Sequence, residues 1–462
     1  MDNMGFISIV PIIMAISLAL YTKDTVISLV VACIAGCFIA GKGIWGFSDL
    51  LQKALGNGDF IWVALNILFF GLLVTFYQKS GAIDGFTKLM QKYSLKRSGA
   101  QVTAWFLGIF CFADSMSPLF VGSVMRNFSD KMKISREKLA YIADSTAAPV
   151  SILYPFTGWS AYLAGLAVGF GCLQNREQAF SLMLSAIPFN FYAILSLLMV
   201  LFIALGVIKD FGPMNKAENR AMFENKLVRD GARPLAPIKE IKKAKIKERV
   251  FLNFILPTIL LLVIAIGGFV IIGSVKSLEA VIIVVVLMSV SFLLQGMSLI
   301  ELSETITEGI KETIPSLMVL AVAYPLNVLS NEMGAANFII NSTSEYLTPV
   351  LLPCGIFMIC SILSFATGTS WGTFAIAIPL ALPMAFNVTG NELTLFVVLC
   401  FAAVAGGGLF GDHCSPVSDT TIMASMGAGS DHIDHVETQL PYAITVGIVT
   451  AILYLVLGYF VV

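Results

Sequence analysis

The sequence predicts an all-α polytopic membrane protein built as two inverted repeats, each with a re-entrant hairpin and a discontinuous helix. Three observations lead there: a composition too apolar for water, apolar runs of membrane-spanning length, and similar interruptions recurring in the same order in both halves. Of 462 residues, 57% are hydrophobic and 12% charged, whereas a soluble domain carries about a quarter charged residues. Runs at 6–21, 60–77, 180–208, 251–273 and 281–296 approach or exceed the roughly 20 residues that cross a hydrocarbon core, and about ten to twelve spans are expected. Backbone groups in hydrocarbon must pair within the chain, so these runs read as helices; the alternation of a β-barrel is absent.

Charge placement organises the chain. The net charge of −1 identifies no partner, and nucleic acid is not expected. Between 209 and 249 lie Lys209, Lys216, Arg220, Lys226, Arg229, Arg233, Lys239, Lys242, Lys243, Lys245, Lys247 and Arg249, a basic segment that belongs in the cytoplasm by the positive-inside rule. It reads as a topogenic linker with no site of its own, between a first repeat at 1–208 and a second at 250–462. No Lys or Arg follows Lys311, which favours external loops around 332–345 and 387–392. The eight cysteines fall mostly inside apolar runs and read as small packing residues rather than a disulfide framework. The first apolar run lacks a basic n-region and a cleavage site and reads as a retained span.

Two basic segments, 79–97 and 129–138, flank the stretch 99–128, too long for one span and too short for two. It is interrupted at Ala113-Asp114-Ser115-Met116-Ser117-Pro118. A hairpin entering from the cytoplasm fits, its tip tolerated where it is buried in protein or lines a wet cavity. The design recurs: Phe112-Ala113 with Ser117 matches Phe365-Ala366 with Ser370, and Asp144 with Pro149-Val150-Ser151 matches Asp412 with Pro416-Val417-Ser418. This places a second hairpin at about 348–388, entering from outside with its tip at 366–373, and broken helices at about 139–173 and 393–430. Spans near 6–21, 25–40, 60–77, 139–173 and 180–208 make an odd number, which inverts the second half relative to the first.

Inverted repeats with broken helices build midplane sites in secondary transporters. Pro118, Pro149 and Pro416 remove backbone donors and Gly368, Gly372 and Gly411 relax the chain. Carbonyls and the hydroxyls of Ser115, Ser117, Ser151, Thr367, Thr369, Ser370, Ser415 and Ser418 then become available as oxygen ligands, which hard cations such as Na⁺ prefer. Asp114, Asp144, Asp412 and Asp419 lie in or beside the breaks, and carboxylates at bilayer depth read as functional. Asp412 and Asp419 are the Na⁺ candidates. An alternative for Asp144 is an N-cap of the helix that follows it. His413, beside Asp412, could relay protons, whereas His432 and His435 read as a solvated loop; a zinc site is not expected. With no P-loop, neither an enzyme nor a primary pump is expected, and no cofactor is called for beyond the transported ions. A passive cation channel is the rival of another class, but paired hairpins suit alternating access better.

The string Phe410-Gly411-Asp412-His413-Cys414-Ser415-Pro416-Val417-Ser418-Asp419-Thr420-Thr421 resembles the G-D-x-x-S-P-x-S-D-T-T signature of the NhaC family of Na⁺/H⁺ antiporters. Thr367-Gly368-Thr369-Ser370-Trp371-Gly372-Thr373 is similar to that family as well. The resemblance implies two hairpins and two broken helices around a central site, a homodimer with elevator-like motion, and ion handling by Asp412, Ser415, Ser418, Asp419 and Thr420. His413 and Val417 stand where many antiporters of the family carry Lys and Leu. The expected activity is therefore Na⁺-coupled secondary transport in a bacterial inner membrane, with Na⁺/H⁺ antiport leading. Na⁺- or H⁺-coupled movement of a small organic solute, an amino or hydroxy acid framed by Trp159 or Trp371, is the alternative.

Overall fold

A computed structural model describes residues 4–22, 25–82, 85, 96–110, 116–155, 157–234, 249–272, 276–335, 338, 348–416 and 418–461. Among them the fold is helical, with no strand beyond one isolated bridge between Pro234 and Asp431. Six helices are long and apolar enough to cross a membrane: Phe60–Lys79, Arg176–Leu205, Pro349–Thr367, Ser370–Val388, Leu395–Cys414 and His432–Val461. Shorter apolar helices include Val26–Ile39 and Leu278–Leu294.

Two helical pairs and two broken helices form the centre. The first pair is Arg97–Phe110 and Met116–Lys131; residues 111–115, with Asp114 and Ser115, lie outside the described residues. The second pair is Leu352–Thr367 and Ser370–Val388. Its link is two residues long because Gly368 takes φ +69° as a left-handed C-cap that a side chain would resist, and Thr369 then N-caps the return helix by accepting from the Gly372 amide at 3.4 Å.

The chain over 139–173 is interrupted twice. Arg136–Ser145 opens on a Ser135 cap and stops at Thr146, Ala148–Leu153 restarts with Pro149 in its first turn, and Gly158–Ala167 follows behind a Thr157 cap. Proline at a helix start costs no hydrogen bond, because that amide has no partner within the helix. The second broken helix runs Leu395–Cys414, passes through extended Ser415 and Ser418, and resumes as Asp419–Ala428, which Gly429 ends at φ +68°.

Glycines set how closely these pieces approach. A Cβ at Gly122 would lie 2.5 Å from the Ala428 amide nitrogen, and one at Gly427 would lie 2.6 Å from the Leu119 carbonyl, so the Met116–Lys131 helix rests backbone to backbone on Asp419–Ala428. Arg126 completes this seam by donating to the Met426 and Gly427 carbonyls at 2.7 and 3.0 Å, which satisfies acceptors that a helix end leaves open. In the second half, Gly407 and Gly411 play the same part against Leu352–Thr367, and Gly408 lies under the Phe374 ring.

The basic segment is more than a linker. Over 209–234 it folds, with a helix at Gly212–Phe223, and docks by charge on Arg97–Phe110, Arg136–Ser145 and His432–Val461. Lys138 pairs with Asp210, which also accepts from Tyr442 Oη at 2.9 Å. Arg220 pairs with Glu137 at 2.7 Å, Arg97 pairs with Glu218, and Arg229 reaches Asp434 at 3.0 Å. Composition alone exposes the positive charges; their acidic partners are scattered through both halves.

Candidate functional site

The break after Cys414 brings a carboxylate into the protein interior. Asp412 is 2% exposed and accepts from two hydroxyls, Ser418 Oγ on Oδ1 and Ser370 Oγ on Oδ2, each at 2.8 Å. These come from different elements, one from the break itself and one from the first turn of Ser370–Val388. Thr420 Oγ1 and Thr421 Oγ1 donate back to the Asp412 carbonyl at 3.2 and 3.1 Å, and Ser418 Oγ and Thr420 Oγ1 lie 3.0 Å apart. Ser415 Oγ donates to the Phe365 carbonyl at 2.7 Å, tying the break to the neighbouring helix. The result is a carboxylate held by two hydroxyls, with two more on the carbonyl of the same residue; such hydroxyls can donate to an anion or turn a lone pair towards a cation.

The first break builds a second carboxylate site nearby. Asp144, next to last in Arg136–Ser145, is 1% exposed. It is not an N-cap: Ala147 holds that position without a side-chain bond. Its Oδ2 faces the C-terminal helix instead, accepting from Gln439 Nε2 at 2.9 Å and lying 3.3 Å from His435 Nε2. The sequence reading of His432 and His435 as a solvated loop is thereby corrected. His435 is fully buried, and His432 Nε2 lies 2.7 Å from the Pro416 carbonyl, joining the C-terminal helix to the second break. Hydrophilic spacing around Ser430-Asp431-His432 concealed that the helix His432–Val461 starts there and turns His435 and Gln439, four residues apart, to one face.

His413 joins the two breaks. Its Nε2 lies 2.6 Å from Ser145 Oγ and its Nδ1 2.8 Å from Tyr192 Oη, while its carbonyl accepts from Gln439 Nε2. The remaining expected ligands are placed differently. Ser151 Oγ donates to Ala147 O at 3.2 Å and Thr367 Oγ1 to Leu363 O at 2.9 Å, so both satisfy carbonyls of their own helices. Thr369 serves as a cap, Ser117 is buried at the start of Met116–Lys131, and the Asp419 side chain lies outside the described residues. Tyr192, Ser145, His435 and Gln439 escaped the sequence reading because polar residues scattered through apolar helices carry no motif.

Beside Ser370 stands an aromatic group. Trp371 lies edge-on to Trp159 at 5.4 Å and 4.5 Å from Tyr162, whose hydroxyl donates to the Trp371 carbonyl at 3.0 Å. The spacing Gly368-Thr369-Ser370-Trp371-Gly372 nominally matches a hydrolase elbow, but Ser370 Oγ donates to a carboxylate rather than to a histidine. Among the described residues no three His, Cys, Asp or Glu side chains converge as a metal cluster.

Comparison with known proteins shows the family of the chain. Residues 150–459 match the model of the Na⁺/H⁺ antiporter family. An uncharacterized protein of Haemophilus influenzae is 31% identical over 98% of this chain and 91% of its own length. A malate-2H⁺/Na⁺-lactate antiporter of Bacillus subtilis is 32% identical over 36% of this chain and 34% of its own. The Na⁺/H⁺ antiporter NhaC of Alkalihalophilus pseudofirmus is 27% identical over 34% and 33%. The Alcanivorax borkumensis YdaH transporter has a similar fold, at 15% identity and a TM-score of 0.54 over 90% of this chain and 88% of that one. This chain is a multi-pass membrane transporter and belongs to the Na⁺/H⁺ antiporter family.

Proposed function

We propose that this protein exchanges Na⁺ for H⁺ across a bacterial cytoplasmic membrane, using the embedded carboxylates at its two breaks in alternating access. The observation that carries the reading is Asp412, buried and held by Ser370 and Ser418 at 2.8 Å. An ionised carboxylate at bilayer depth is costly, and a bound Na⁺ or a proton each cancels its charge. With Na⁺, the hydroxyl oxygens of Ser370, Ser418 and Thr420 complete an oxygen ligand set. With H⁺, the carboxyl becomes a donor that those same oxygens accept. The empty, ionised form is the least favourable, so the site crosses the membrane loaded with one ion or the other, which is the condition for exchange. In this reading the two helical pairs are re-entrant hairpins of inverted repeats.

The test is reconstitution into liposomes holding a pH dye, with an imposed Na⁺ gradient. Wild type is expected to move protons against Na⁺, Asp412→Asn to move none, and Ser370→Ala and Ser418→Ala to require more Na⁺ for half-maximal rate. Undiminished exchange by Asp412→Asn would sink the reading.

A second reading rests on the Bacillus relative, whose name couples organic acids to H⁺ and Na⁺, and on the aromatic group of Trp159, Tyr162 and Trp371 beside Ser370. It expects wild type to move protons only when a hydroxy or amino acid accompanies Na⁺.

A further inference from the structure

We propose that Gln439 is the residue that couples the two carboxylate sites, an inference that rests on the exchange reading above and gives it a physical link. Gln439 is fully buried on the C-terminal helix. Its Nε2 carries two hydrogens. One goes to Asp144 Oδ2 at 2.9 Å and the other to the carbonyl of His413, the residue after Asp412. Facing a carboxylate oxygen and a carbonyl, both pure acceptors, this end of the amide must be the nitrogen.

The cost of that orientation argues against mere packing. Gln439 Oε1 is buried without a hydrogen-bond partner among the described residues, an expensive state for an amide oxygen. A side chain placed only to fill space between helices would be equally served by an apolar residue of the same shape. What only the amide provides is one donor on each broken helix at once.

The link works as follows. When Asp144 is ionised, its Oδ2 takes donors from Gln439 and from His435 Nε2, 3.3 Å away. When a cation neutralises Asp144, that pull weakens and the amide is freed to shift towards His413. The shift reaches the break through the His413 carbonyl. The His413 ring, on Ser145 beside Asp144, supplies a parallel contact that holds the two breaks in register. Gln439 touches neither Na⁺ ligand that Ser370 and Ser418 provide, so it acts as a positioning residue.

The experiment compares two transport modes in the same proteoliposomes: Na⁺-driven proton movement and ²²Na⁺ exchange against unlabelled Na⁺. Gln439→Met keeps the shape and removes both donors, and Gln439→Leu removes them with a second apolar side chain that neither donates nor titrates. Both variants are expected to lose proton coupling by about tenfold or more, the scale of one hydrogen bond to a charged group, while ²²Na⁺ exchange continues near the wild-type rate. A purely structural Gln439 would lower both modes in parallel, and that result, or unchanged proton coupling in both variants, overturns the proposal. Wild type that exchanges ²²Na⁺ but moves no protons overturns the antiport reading itself, and the coupling proposal with it, and is recognisable before any variant is made.

Discussion

The seam between Leu352–Thr367 and Leu395–Cys414 offers a perturbation whose size can be worked out. A Cβ at position 411 would sit 2.0 Å from the Phe365 amide nitrogen and 2.2 Å from the Ser364 carbonyl carbon. Ordinary contact begins near ~3.4 Å, so in Gly411→Ala the two backbones must part by roughly 1.4 Å, with no side chain able to rotate away. Such overpacking costs about 1–3 kcal/mol. The same parting stretches the Ser370–Asp412 and Ser415–Phe365 hydrogen bonds, 2.8 and 2.7 Å, to about 4 Å, beyond useful range. A hydrogen bond to a charged group is worth about 1.5–3 kcal/mol, so Na⁺ affinity should fall on the order of 10- to 100-fold. Melting in detergent and titration with Na⁺ read the two effects. Gly355→Ala on the facing helix Leu352–Thr367, where a Cβ meets nothing within 4 Å, is the control. Equal melting temperature and Na⁺ affinity in the two variants would refute the reasoning.

Three further outcomes follow from the same geometry. Arg126→Gln strips donors from the Met426 and Gly427 carbonyls and should lower stability by about 1–3 kcal/mol, seen as a lower melting temperature. Thr421→Val removes only a donor to the Asp412 carbonyl and should weaken Na⁺ dependence by less than Ser418→Ala, whose hydroxyl contacts the carboxylate itself. Asp431 lies ahead of the C-terminal span; burial alone would raise its pKa, but the amides of Arg233, Asp434 and Ile433 with the Arg229 charge hold it below the ordinary range. A depressed carboxylate stabilises above its unfolded value and loses that contribution as pH falls through the folded one. Asp431→Asn should therefore melt lower than wild type at neutral pH, with the gap closing below about pH 4.

Much of this was legible in the sequence because hydrocarbon imposes strong rules. Apolar length gives spans, and proline, glycine and hydroxyls clustered at 366–373 and 412–420 mark the places where a helix stops inside protein. Asp412, Ser370, Ser418 and Thr420 come together at those breaks, whereas the Ser415 hydroxyl turns to the Phe365 carbonyl. What stayed hidden depends on helix rotation and on partners distant in the chain. His435 reads as loop and Gln439 carries no motif, yet the C-terminal helix turns both towards Asp144, nearly 300 positions away. Ser151 and Thr367 look like ligands by composition, yet each has a carbonyl four residues back within reach, the ordinary use of a hydroxyl in a helix. The basic segment 209–249 carries its charge openly, but only the fold pairs Arg220 with Glu137 and Arg229 with Asp434.

The central claim, that Na⁺ and H⁺ compete for buried carboxylates, is tested most directly by equilibrium ²²Na⁺ binding to the purified protein across a pH series. If the ions compete, Na⁺ affinity falls as pH drops, approaching tenfold per pH unit on the acid side, and binding vanishes in Asp412→Asn. Na⁺ binding that is flat across the series, or that survives Asp412→Asn, contradicts the account.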